Sequence, residues 1–135
     1  MEKTEQGNLQ EKYILLQLVA SQLMELEKEA QTIDQRKNEL VDIRRNLDGL
    51  DKNKSARGFS ALGLGMYIPS MIASSEDILI NVGANIFINK KQADVKLLLD
   101  SQIEQAQIAV NQIIQNMQLL EARAMELQRE LKQNV

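Results

Sequence analysis

At 135 residues the chain is long enough for one domain, yet only 3% of it is aromatic and none is Trp, while Leu, Ile, Gln, Glu and Lys dominate; this palette suits long helices better than an ordinary globular core. A formal charge of −3, from 16 basic and 19 acidic residues, advertises no strongly basic face for nucleic acid. The absence of His and Cys removes the usual neutral-pH base, the thiolate nucleophile, the disulfide and the common zinc ligands.

In chain order, Met1 to Asn8 is polar and is expected to fray. A heptad seam then runs Leu9, Lys12, Leu16, Val19, Leu23, Leu26, Ala30, Ile33, Lys37, Leu40, Arg44, Leu47, in alternating steps of three and four, with no Pro or Gly before Gly49. The spacing predicts a helix over 9–48, about 58 Å long, which needs a partner along its length. Lys12, Lys37 and Arg44 interrupt the seam; their stems can pack while their charges reach solvent, and they favour one alignment over its slipped neighbours. Asp51 to Arg57 is a short polar, basic linker, read as a solvated loop or as a phosphate-binding patch.

The middle of the chain, 57–91, repeats one pattern. Leu62-Gly63-Leu64-Gly65-Met66-Tyr67-Ile68 matches Val82-Gly83-Ala84-Asn85-Ile86-Phe87-Ile88, and each copy reads as a β-hairpin turning on residues that tolerate positive φ. The second turn sets Val82 opposite Ile86 and Ile80 opposite Ile88, all on one face. In the first, Leu62 is expected opposite Met66 and Ser60 opposite Ile68. Pro69 places its strand at an edge or a bulge, or with that N–H position facing solvent.

From Gln92 a second seam follows: Leu99, Ile103, Ala106, Val110, Ile113, Met117, Leu120, Ala124, Leu127, Leu131. Every position is apolar, so 92–134 is expected to fold back on the first helix as an antiparallel coiled coil, with Leu47 beside Leu99 and Leu16 near Glu130 and Leu131. The predicted fold is α+β: one domain over 1–135, a long antiparallel coiled-coil hairpin with two β-hairpins at its base and both chain termini at its tip.

Two sets of apolar residues remain uncovered in that arrangement. Off the seam lie Ile14, Leu15, Leu18 and Met24 with Ile108, Ile114, Leu119 and Met125. Ile14, Leu15, Leu18, Leu119 and Met125, with Leu131, form the candidate surface for poorly defined partners at the tip; the competing reading is a broadened seam or a contact with another fixed helix. At the base, two hairpins cannot bury Leu62, Met66, Ile68, Ile80, Val82, Ile86 and Ile88 within one chain, so these are the candidate assembly residues, and strands from several subunits closing a barrel would remove the open edges.

No catalytic constellation is present. Glu25 and Glu29 read as solvated coil positions, not as an acid and base pair, and the glycines at 63 and 65 lack the Lys-Ser or Lys-Thr ending of a phosphate loop. No enzyme activity, metal or cofactor is expected. With no secretory signal and no apolar run of about eighteen residues, the chain reads as cytoplasmic and without a membrane partner.

The order helix, paired hairpins and helix, carrying Leu62 to Ile68 and Ile78 to Lys91 as quoted, resembles the alpha class of prefoldin subunits; two hairpins resemble that class, whereas beta-class subunits carry one. The resemblance implies a hexamer of two alpha-class and four beta-class chains, with hairpins joined into a β-barrel platform and coiled coils projecting from it. It also implies tips that hold non-native proteins without ATP and deliver them to a group II chaperonin. Two other functions are open to the residues: a scaffold that oligomerises through its hairpins without holding clients, and a nucleic-acid binder using Lys52, Lys54, Arg57, Lys90 and Lys91.

Overall fold

Straight-chain residues and a seam without Pro give the two helices, and Gly, Asn and β-branched residues give the hairpins between them. The computed structural model describes residues 2–51 and 54–133, with side chains from residue 5 onward. Its elements are α1 (Glu2–Asp48), β1 (Ala56–Gly63), β2 (Met66–Ile72), β3 (Asp77–Asn81), β4 (Phe87–Lys91) and α2 (Gln92–Gln133). Helix α1 begins at Glu2, ahead of the expected Leu9. Glu5 and Gln6 lose little freedom in a helix, and Gly7 costs only about 1 kcal/mol against Ala, which is too little to break the run. Lys52 and Asn134 lie outside the described residues.

The chain divides into two compact units, Met1–Arg36 with Gln105–Val135, and Lys37–Glu104. In the first, Val19 of α1 and Val110, Ile113, Leu127 and Leu131 of α2 are buried. The helices run antiparallel, since the Lys12 ammonium meets Glu130 at 3.3 Å and Leu26 lies beside Leu120. Every expected seam position, in both helices, is buried or half-buried.

In the second unit Leu40, Leu47, Val95 and Leu99 form a core, with Leu50, Ile78, Ile80 and Ile103 packed against it. Leu47 and Leu99 therefore share one cluster, as their seam positions require. Arg44, on the seam, turns its charge outward: Nε donates to Asp100 at 2.9 Å and a terminal nitrogen to Asp48, which also meets the Lys96 ammonium at 3.1 Å. The hydrogen bond from Lys96, and then that from Arg44, hold the Asp48 carboxyl below the usual carboxylate range.

A carboxyl with a depressed folded-state pKa adds stability that is present above its unfolded pKa and is lost as pH falls through the folded one. The gap in Tm between the wild type and Asp48→Asn is accordingly expected to be widest near neutral pH and to close below about pH 4. A gap that stayed constant in thermal melts at stepped pH would show that this cluster does not fix the alignment of the helices.

Each hairpin is a separate two-stranded antiparallel sheet. In the second, Ile80 pairs with Ile88 and the Val82 N–H donates to the Ile86 carbonyl at 2.9 Å, giving the expected register. In the first, Ser60 pairs with Ile68 as expected, but Gly63, not Leu62, pairs with Met66. The register shifts between Ala61 and Gly63, leaving Leu62 as the surplus residue of a bulge. The cause lies in the turn, where Leu64 and Gly65 both take positive φ and close a two-residue loop next to Met66.

The internal repeat reaches the backbone. Gly63, Leu64 and Gly65 have φ of 115°, 51° and 78°, against 117°, 50° and 58° at Gly83, Ala84 and Asn85. The Asn81 side chain accepts from the Gly83 N–H at 2.9 Å and steadies the second turn. Lys91 faces Asp77 across the β3–β4 ladder, pairing with it at 2.9 Å, and the Gln92 N–H that opens α2 donates to the Glu76 carbonyl.

Candidate functional site

Two surfaces stay open when the helices and strands have satisfied themselves, one in each unit. The first arises because the seam repeats every three and four residues, so apolar residues between seam positions cannot turn inward. Ile14, Leu15, Leu18 and Met24 on α1 are exposed, as are Ile108, Ile114, Leu119 and Met125 on α2. Leu131 departs from expectation. At 6% exposure it belongs to the buried interface of the helix pair, where its seam position puts it, and offers nothing to a partner.

Two of the exposed residues line separate hollows. Leu119, 71% exposed, lines a groove of about 470 Å³ between α1 and α2 with Gln22, Glu25, Leu26, Glu29, Asn116 and Leu120. It lies beside the 22–29 stretch of α1 and not beside Ile14, Leu15 and Leu18. Met125 lines a different, shallower depression with Ala122, Glu126 and Arg129.

The second surface is the hairpins. Leu62, Met66, Ile68, Val82, Ile86 and Ile88 are exposed, whereas Ile80 is half-buried against the Leu40–Leu99 core. Ile80 thus serves the packing of its own chain, because its face of β3 lies toward the helices while Val82 and Ile86 lie closer to the turn. Sequence reasoning missed the other face of the first hairpin. Phe59 opposite Pro69, Tyr67 opposite Ala61, and Met71 opposite Arg57 share that face, and all three large apolar side chains are exposed. The signal was available, since Phe59 and Ala61 alternate with small or polar residues at period two. Leu64 at the turn is 99% exposed despite its left-handed backbone. Both sheets have only two strands, so the outer edge of each strand is unpaired within its sheet.

Charge adds little at the hairpins. The unit Lys37–Glu104 carries nine acidic and nine basic residues. Lys91, expected in a basic patch, is held by Asp77 and lies 3.9 Å from Glu76; the hydrogen bond to Asp77, then the charges of Asp77 and Glu76, raise its pKa. Of the other residues proposed for that patch, Lys52 lies outside the described residues. Among the described residues no group of His, Cys, Asp and Glu could hold a metal ion, and no helix is long and apolar enough to cross a membrane.

A helix pair joined along its seam, two small sheets with open edges, and apolar side chains left outside the seam define an α+β coiled-coil protein with surfaces open to other chains. The chain matches the family described as Prefoldin subunit over residues 19–135. It therefore belongs to the prefoldin family. Among curated proteins it is 25% identical over 127 residues to a prefoldin subunit alpha from Methanococcus aeolicus, across 94% of this chain and 87% of the relative. It is 28% identical over 102 residues to a prefoldin subunit alpha from Nitrosopumilus maritimus, across 67% of this chain and 70% of that protein. These relatives and the two hairpins support the alpha class. Among solved structures, the cryo-EM structure of filamentous PFD from Methanocaldococcus jannaschii shares the fold at a TM-score of 0.50 and 14% identity, covering 90% of this chain and 95% of that one. Membership supports a chaperone role and implies oligomeric assembly with other prefoldin subunits.

Proposed function

We propose that this chain is a chaperone subunit that holds non-native proteins without ATP on the exposed apolar residues of its first unit. It joins beta-class subunits through its hairpins, two alpha-class chains with four beta-class, and passes its clients to a group II chaperonin. Its work is binding, not catalysis. One observation carries the reading: Ile14, Leu15, Leu18, Met24, Ile108, Ile114, Leu119 and Met125 stay exposed on helices whose seam residues are all buried or half-buried. A scaffold that only spaces its partners needs the seam and the hairpins, and gains nothing from these side chains. Met24 and Met125 are unbranched and re-pack against varied apolar segments, and the Leu and Ile side chains around them add apolar area, which suits clients with no fixed shape.

Replacing Ile14, Leu15 and Leu18 together by Ser is expected to leave assembly and helix content intact. Protection of a chemically denatured protein against aggregation should fall by roughly tenfold or more, since three apolar contacts are lost. Light scattering during dilution of the denatured protein reads the effect. Unchanged protection would count against the holding role and in favour of the scaffold.

A further inference from the structure

The groove beside Leu119 has a chemical character that a general apolar surface lacks. Its floor is apolar, from Leu26 and Leu120 of the seam and the exposed Leu119, and its α1 wall carries the carboxylates of Glu25 and Glu29. These lie four residues apart on one face of α1, so like charges are stacked one turn above each other. Neither makes an ion pair among the described residues. Neither Lys28 of α1 nor Arg123 of α2, which pairs with Glu126 at 3.1 Å, lines the groove, and Gln22 and Asn116 complete the rim without charge. The surrounding unit has ten acidic against seven basic residues, so it carries the whole formal charge of −3. An incoming cation relieves the repulsion between the two carboxylates, while an incoming anion adds to it. The groove's volume falls in the range of pockets that take a few groups, and suits a short extended segment better than a folded surface.

We propose that this groove selects, among non-native polypeptides, segments in which an apolar side chain is flanked by Lys or Arg: the apolar group rests on Leu26, Leu119 and Leu120, and the cation meets Glu25 and Glu29. The inference rests on the client-holding role and narrows it to a substrate class.

Three labelled unstructured peptides test it, each with Leu at every third position and with Lys, Glu or Ser between. By fluorescence anisotropy in low salt the assembled protein is expected to bind the Lys peptide roughly threefold to tenfold more tightly than the Ser peptide, and the Glu peptide most weakly. Raising the salt should close the gap. Glu25→Gln with Glu29→Gln should make the three peptides nearly equal, and Leu119→Ser should weaken all three. Circular dichroism of both variants confirms that the helices are retained. Equal binding of the peptides by the wild type, or a charge preference that survives the double Gln variant, overturns the proposal. If no peptide binds but a denatured protein is still protected, this groove inference alone fails; if protection is absent as well, the holding role fails with it.

Discussion

Replacing Val82 and Ile86 together by Asp is expected to release the chain from its assembly with the helices still folded. Both residues are exposed in the single chain and face each other beside the Gly83-Ala84-Asn85 turn, with the Val82 N–H bonded to the Ile86 carbonyl. In the isolated chain their substitution therefore disturbs little. In an interface that covers them, two carboxylates without partners would be stripped of water, at a cost on the order of several kcal/mol each. Few interfaces survive such a loss. Ile80 provides the control, because it leans on the core of Leu40, Leu47, Val95 and Leu99. Ile80→Asp should damage the unit itself, so that loss of assembly comes with loss of melting cooperativity. Light scattering and circular dichroism on the two variants separate these outcomes. Particles of wild-type mass from the Val82 and Ile86 variant would show that the joint lies elsewhere, with the exposed Phe59, Tyr67 and Met71 face of the first hairpin the next place to look.

The helix pairing was legible because a seam with steps of three and four constrains which side of each helix is covered, whatever the residue identity. That is why Lys12 and Arg44 could be assigned inward stems: the charges found Glu130, Asp100 and Asp48 around the edge of the seam. The second hairpin was legible because turn length and apolar alternation chose the same register. The first was less so, since Gly58, Ser60 and Ala61 carry little pattern, and a bulge at Leu62 moves one pairing without altering composition. The candidate surface was legible residue by residue but not in its grouping. Which off-seam side chains meet depends on how residues of one helix fall beside those of the other, and this places Leu119 with Glu25 and Glu29 instead of with Leu15 and Leu18. Leu131 illustrates the same limit: as a seam residue it fitted two roles, and packing selected the buried one.

The second large effect is expected at Leu127, whose side chain is 1% exposed and is the only large one so fully enclosed among the described residues. Neighbouring seam residues such as Leu120 and Ala124 are only half-buried, so the pairing of the helices in this unit is concentrated on Leu127 together with Leu131, Val19, Val110 and Ile113. Leu127→Ala removes apolar contact and leaves a cavity that rigid helices close poorly, a loss of about 2–5 kcal/mol. For a chain of this size that lowers Tm by on the order of 10 °C. The core of the second unit does not include this residue, so the hairpins and the Leu40–Leu99 cluster should melt at their usual temperature, and two transitions should replace one. The comparison with the Ser triple variant at Ile14, Leu15 and Leu18 is then informative, because the two changes act on the same unit by different routes. Below both transitions Leu127→Ala should retain protection of denatured protein while melting early; the Ser variant should melt normally and protect poorly. If protection followed melting temperature in both, the exposed side chains would matter only through stability. If Leu127→Ala melted like the wild type, burial at this seam position would not be what holds the helices together.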